Sequence, residues 1–122
     1  MILADTSVWV DHFRRGNAVL QTLLESGRVA YHPFVIGELA CGTLRARETI
    51  LDYLTRLPQV PVASHAEALR LVHARGLAGT GLGWVDVHLL AATLLARGEL
   101  WTLDRPLSRA ASVLQCAALP GE

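Results

Sequence analysis

Apolar residues in this chain fall into very short runs, separated by longer stretches in which they recur at helical spacing. Ile2-Leu3-Ala4 is the first short run, a strand that stops at Asp5-Thr6-Ser7, residue types that cap helix starts. Val8, Trp9, His12 and Phe13 then follow at helical spacing as far as Gly16, and Ala18 to Glu25 predicts a second helix ended at Gly27. Val29-Ala30-Tyr31 predicts the second strand. Pro33 opens the next helix, as proline does in a first turn, with Ile36, Leu39, Ala40 and Thr43 as its apolar stripe. Arg45 to Leu57 predicts a further helix, broken by Pro58. Val60 to Val62 is a third strand, placed at an edge by Pro61, and Ser64 caps a helix running to about Arg75. Gly76, Gly79, Gly81 and Gly83 predict a flexible loop. The helix from Gly83 to Arg97 is apolar nearly all round and should be buried. Leu100 to Leu103 is a fourth strand, Asp104 caps a short helix with Pro106 near its start, and Val113-Leu114-Gln115 is a fifth strand; Pro120-Gly121-Glu122 should fray.

Strands alternating with helices predict an α/β fold, with a mostly parallel sheet of about five strands and helices on both faces. The 122 residues fit one domain spanning 1–122, and a 52% hydrophobic composition supplies a core. No apolar run reaches the roughly 18 residues of a membrane span, and Ile2-Leu3-Ala4-Asp5 has no basic leader, so a cytoplasmic protein with no membrane association is expected. Cys41 and Cys116 are the two cysteines; without a CxxC or a Cys/His cluster they read as core residues rather than zinc ligands.

Formal net charge is zero, with eleven arginines, no lysine and eleven acids. The missing lysine excludes a P-loop and a Schiff-base enzyme. The balance gives no general basic excess, so any nucleic-acid binding rests on local arginine placement. Gly79-Thr80-Gly81-Leu82-Gly83 does not make a dinucleotide fingerprint, because it follows a helix and has the wrong spacing.

Four acids stand out by position. In a parallel sheet, ligands bind outside the carboxyl ends of the strands. Asp5 follows strand one and Asp104 follows strand four. Glu38 lies in the first two turns of the helix after strand two. Asp86 lies in the first turn of the buried helix, which must start at the same edge because it runs antiparallel to the strand it feeds. All four can meet there. Like charges in a poorly solvated pocket repel, and a hard divalent ion, Mg²⁺ or Mn²⁺, resolves the conflict. Such ions turn bound water into a nucleophile and stabilise charge building on a phosphate. Thr6, Ser7 and Thr102 adjoin the acids and could hold carboxylates or waters in place. The plainer alternatives stay open: Asp5 and Asp104 as ordinary N-caps, Glu38 as a solvated first-turn acid, Asp86 as a structural hydrogen-bond acceptor.

The opening ILADTSVWVDHF resembles the start of a PIN domain, especially of VapC-type toxins. Gly37-Glu38-Leu39, Gly83-Trp84-Val85-Asp86-Val87-His88-Leu89-Leu90-Ala91-Ala92 and Leu100-Trp101-Thr102-Leu103-Asp104-Arg105 resemble that family's later acidic segments, in order and over essentially the whole chain. The resemblance implies a five-stranded parallel sheet, Mg²⁺- or Mn²⁺-dependent cleavage of RNA with Asp5, Glu38, Asp86 and Asp104 as catalytic metal ligands, a homodimer, and a small cognate antitoxin partner. The alternative on the same fold is a catalytically idle module that binds RNA or protein. A metal-dependent phosphatase is disfavoured, because no second acid stands two residues after Asp5.

Arg14, Arg15 and Arg105 are candidate RNA contacts, with Arg45, Arg47 and Arg109 behind them; solvated helix faces are the alternative. Asp11 reads first as a solvated helix acid and second as a peripheral site residue. The five histidines read as satisfied or solvent-facing, His88 on a different side of its helix from Asp86. Trp9 is expected in a helix interface or partner groove, and Trp84 and Trp101 in the core.

Overall fold

A computed structural model describes residues 1–120. Strand β1 (Ile2–Ala4) leads into α1 (Thr6–Arg15) and α2 (Ala18–Glu25); β2 (Val29–Ala30) leads into α3 (Pro33–Cys41), α4 (Arg47–Thr55) and α5 (His65–Ala74); α6 (Trp84–Ala96) feeds β3 (Glu99–Trp101), and α7 (Arg105–Val113) follows. The sheet order is β2-β1-β3, all parallel, with Leu3 opposite Ala30 on one side and Leu100 on the other. Successive strand side chains point to opposite faces. Ile2, Leu3 and Ala4 are nevertheless all buried, so both faces of the central strand are covered, as short apolar parallel strands require.

The sheet has three strands among the described residues, not about five. The two outer positions each shrink to a single parallel bridge, Tyr31 with Gln59 and Leu100 with Ala117. At the first, Tyr31 donates to the Pro58 carbonyl and accepts from Val60, but Pro58 and Pro61 lack N–H groups and cannot extend the ladder. Val62 is exposed. The fifth strand does not form at Val113–Gln115. Buried Leu107, Ala110, Ala111 and Leu114 keep helical spacing, so α7 runs on through Val113, and Gln115 turns the chain with φ 60°. Pairing begins two residues on: Leu100 donates to the Cys116 carbonyl and accepts from Ala118. Of the predicted frayed end, Gly121 and Glu122 lie outside the described residues.

The core gathers Leu3, Trp9, Leu20, Leu54, Leu90 and Leu107 from almost every element. α6 is buried from Val87 to Thr93, and Thr93 satisfies its hydroxyl on the Leu89 carbonyl at 2.7 Å. Cys116 and Trp101 are buried as expected. Cys41 and Trp84 are exposed, against expectation: Cys41 is the last residue of α3, and Trp84 the first of α6, where a helix turns to solvent. No described helix is long and apolar enough to cross a membrane.

Candidate active site

The order β2-β1-β3 puts a topological switch between β1 and β3, and a crevice opens beyond their carboxyl ends. Asp5 and Thr102 stand at that crevice. The Asp5 amide donates to the Trp101 carbonyl, which locks the two strand ends together. Asp5 also caps α1. Its Oδ1 accepts from the Ser7 amide (3.0 Å), the Val8 amide (3.4 Å) and the Ser7 hydroxyl (2.5 Å), while Oδ2 accepts from the Thr102 hydroxyl at 2.7 Å. Burial pushes the Asp5 carboxyl above its ordinary range, against the opposing pull of these donors. The cap reading of Asp5 is therefore correct, and it leaves Oδ2 with only one protein partner among the described residues.

Ser7 and Thr102 do more than touch Asp5. Ser7 Oγ accepts from the Leu103 amide at 2.9 Å, and Thr102 Oγ1 accepts from the Asp104 amide at 3.0 Å. The two hydroxyls clamp the start of α1 to the loop that carries Asp104. Asp104 caps α7 through Oδ2, which accepts from Leu107 at 3.2 Å. Glu38, exposed in the second turn of α3, accepts at Oε1 from the Thr6 hydroxyl at 2.7 Å. Asp86 occupies the third position of α6, and its Oδ2 accepts from the Gly83 amide at 2.9 Å, closing the helix start. Burial raises its carboxyl; repulsion from Asp104 and Glu38 raises it further, and the Gly83 amide opposes both.

The fold thus brings the four acids to one edge, Asp86 within electrostatic reach of Asp104 and Glu38, and Asp5 linked to Asp104 through Thr102. They do not close into a ready cage: no three acid, imidazole or thiol side chains among the described residues are grouped tightly enough to hold an ion. The donor set still fits a hard divalent cation. It is all carboxylate and hydroxyl oxygen, Asp86 carries a repulsion that a cation would relieve, and Mg²⁺ characteristically takes one or two carboxylates and completes its shell with water and phosphate.

The arginines divide. Arg15 is held by Asp11, which also accepts from Asn17, so Asp11 is only part-exposed rather than fully solvated; these donors hold its carboxyl below the ordinary range. Arg47 donates to the Ala40 carbonyl. Arg14 and Arg45 line a cleft of about 740 Å³ that begins at Thr6 and Glu38. Arg105 and Arg109 are exposed on α7.

Beside the acids runs an aromatic ladder that the sequence reading missed. His32, Phe34, His88, Trp84 and His65 meet in turn edge-to-face or tilted, with ring centroids 4.8, 4.9, 4.8 and 5.1 Å apart. His32 and His88 are buried but not fully satisfied: His32 Nδ1 accepts from Phe34 and caps α3, yet its Nε2, like His88 Nδ1, has no protein partner among the described residues. Burial, then the neighbouring His88, lowers His32 to about 4, so it is neutral at physiological pH. The four-residue spacing of Trp84 and His88 was the one sequence signal for this ladder.

A family model described as the PIN domain matches residues 2–113. Ribonuclease VapC32 from two strains of Mycobacterium tuberculosis is 49% identical over 111 residues, 90% of this chain and 90% of that protein. A chain of the FitAcB crystal structure from Neisseria gonorrhoeae superposes with a TM-score of 0.63 over 92% of this chain and 94% of its own length, at 18% identity, which supports the fold alone. A family match over nearly all the described residues and a relative near half identity lead to one conclusion: this chain belongs to the PIN-domain family, in its VapC branch.

Proposed function

We propose that the protein is an endoribonuclease, the toxin of a toxin–antitoxin pair, and that it hydrolyses RNA phosphodiester bonds with Mg²⁺ or Mn²⁺ held by Asp5, Asp86, Glu38 and Asp104. The observation that carries the reading is the conflict at the sheet edge: half-buried Asp86 is pushed up by partial desolvation and by facing Asp104 and Glu38, in a chain nearly half identical to a ribonuclease. The Gly83 amide gives Asp86 a capping role, but an asparagine would accept that bond without the repulsion from Asp104 and Glu38. A divalent ion bound there would supply an activated water and neutralise charge on the phosphate. The side chains have their own tasks. Ser7 and Thr102 fix the Asp5 carboxylate with Oδ2 turned to the crevice, Thr6 steers Glu38, and the Gly83 amide holds Asp86 by one oxygen. The reading extends to one nuclease domain over 1–122, a cytoplasmic location, a homodimer and a small antitoxin as protein partner.

Purified protein is expected to cut single-stranded RNA with Mn²⁺ or Mg²⁺ and to stop when EDTA is added, with recovery on excess metal. Cleavage that continues in EDTA would sink the mechanism. The competing reading, a catalytically idle binding module, draws on the absence of a preformed ion cage among the described residues; it predicts RNA or partner binding with no turnover in the same assay.

Thr102→Val tests the clamp. It removes the hydroxyl between Asp5 Oδ2 and the Asp104 amide while keeping the side-chain shape. Loss of a group that orients a metal ligand typically costs about 10–100-fold. A fall of that size in kcat, with the melting temperature changed by only a few degrees, is expected; unchanged kcat counts against the clamp.

A further inference from the structure

Trp84 opens α6 two residues before Asp86, and it is 40% exposed. A lone exposed apolar residue is ordinary on a protein surface. Trp84 differs in being exposed and fixed at once. The ring of His88, buried one turn later on α6, meets it at 86° with centroids 4.8 Å apart. His65, exposed at the start of α5, meets it at 54° and 5.1 Å. His88 in turn meets half-buried Phe34 at 4.9 Å, and Phe34 lies one turn before Glu38 on α3. The ladder therefore runs from beside Glu38 to an exposed indole beside Asp86, and its buried inner rings set the orientation of the outer one. Two residues apart, Trp84 and Asp86 leave roughly opposite sides of the first turn of α6, which at its Cα atoms is only about 5 Å across. Gly83, immediately before them, adds no side chain to that tip.

We infer that Trp84 is the stacking platform for the base of a nucleotide flanking the bond that is cut, with purines preferred. The inference rests on the ribonuclease reading and deepens it by naming a specificity-determining residue outside the acids. Three features select a nucleobase. Every base has a π-face, and an aromatic ring is the side chain that takes it. A nucleotide carries its base close to its phosphate, so a phosphate held at the Asp86 edge hangs a neighbouring base over the narrow helix tip and onto the indole. The indole has only two side-chain torsions and is already held by His65 and His88, so stacking on it costs little further ordering. The purine preference follows from area, because a two-ring base covers more of the indole than a one-ring base.

The test is a cycle between protein and RNA. An RNA that the parent cuts at one mapped bond in Mn²⁺ is remade with each flanking nucleotide in turn abasic, and parent and Trp84→Ala are compared on every version. Loss of one base–aromatic stack corresponds to about 5- to 150-fold. Trp84→Ala is expected to lower kcat/KM by such a factor on intact RNA, most with a purine at the stacked position. On the RNA abasic at that position it should cost less than about twofold, since the two changes remove the same contact. A merely structural role would cost the same on both. Trp84→Phe should keep most of the rate, and because Trp84 is exposed both variants should melt within a few degrees of the parent. The second arm uses the full chain in EDTA with saturating oligoadenylate. Trp9 and Trp101 are only 1% and 9% exposed, so oligoadenylate should quench the emission of Trp84 alone, and an abasic ribose-phosphate chain of the same length should not. If the parent cuts RNA but the Trp84→Ala loss is equal with and without the base, or oligoadenylate does not quench, the inference falls while the ribonuclease reading stands. The exposed indole then belongs to a protein contact. A parent that shows base-dependent quenching but never cuts RNA removes the ribonuclease reading and keeps the stacking site. A parent that does neither removes both.

Discussion

Asp86→Asn is expected to abolish metal-dependent RNA cleavage and, in EDTA, to make the protein more stable than the parent. Asparagine keeps the oxygen that accepts from the Gly83 amide and the shape of the helix start. It removes the charge that Asp104 and Glu38 repel. Changes to residues that merely support a metal ligand cost about 10–100-fold, so loss of a ligand should exceed about 100-fold in kcat/KM. The stability half of the prediction has a defined sign. The folded-state value of Asp86 is raised, first by burial and then by its acidic neighbours, so the folded protein holds the proton more tightly than the unfolded chain. The contribution of Asp86 is fully present below the ordinary carboxylate value of 3.8 and is lost as pH rises through the raised value. Asparagine does not ionise. Its advantage, on the order of a few degrees in melting temperature, should therefore appear near neutral pH and shrink toward pH 4. Adding Mn²⁺ should reverse the order, since only the parent gains stability from binding the ion. Thermal melts at pH 4 and 7.5, with and without Mn²⁺, check each step. A variant less stable than the parent at neutral pH without metal would show that Asp86 is a structural acceptor.

Most of this edge was legible in the sequence because its acids sit where chain direction changes. Asp5 and Asp104 close short apolar runs and open helices, so one residue type marks both the strand end and the cap. Asp86 was visible by contrast, a carboxylate in a helix otherwise apolar nearly all round. The connections between these positions were not legible. Thr6 holding Glu38, and Thr102 joining Asp5 to the Asp104 amide, span 32 and 97 positions and depend on how α1 sits against α3 and β3. The division of the arginines has the same cause: Arg14 and Arg15 are neighbours with opposite fates because a helix turns them to different sides. The sheet was overcounted because Val60–Val62 and Val113–Gln115 have strand composition, whereas prolines limit the first to one bridge and the stripe of α7 absorbs the second. Trp84 was assigned to the core by residue type, yet at a helix start it is exposed beside His65 and His88.

Trp9→Ala is expected to cost about 3–5 kcal/mol of stability, the range for truncating a large buried aromatic, and so to remove a large part of the roughly 5–15 kcal/mol that holds a domain of this size folded. Trp9 is 1% exposed, sits four residues after the Asp5 cap, and stacks on Phe13 with centroids 5.9 Å apart and planes at 28°. It anchors the first turns of α1 to the core at the point where Asp5, Thr6 and Ser7 are presented to the crevice. Its indole N–H has no protein partner among the described residues, so Trp9 contributes through volume and dispersion contact rather than through a hydrogen bond. That separates two substitutions. Trp9→Phe removes the unsatisfied donor and leaves a smaller gap, and should cost clearly less than Trp9→Ala. Chemical denaturation of the three proteins gives the comparison, and equal losses for Phe and Ala would mean that the indole N–H is bonded after all. The link to function is equally testable. A loosened α1 can no longer hold Ser7 against Leu103 and Asp5 against Thr102, so cleavage by Trp9→Ala should fall well below the parent even at temperatures where the variant remains folded, while Trp9→Phe stays close to it.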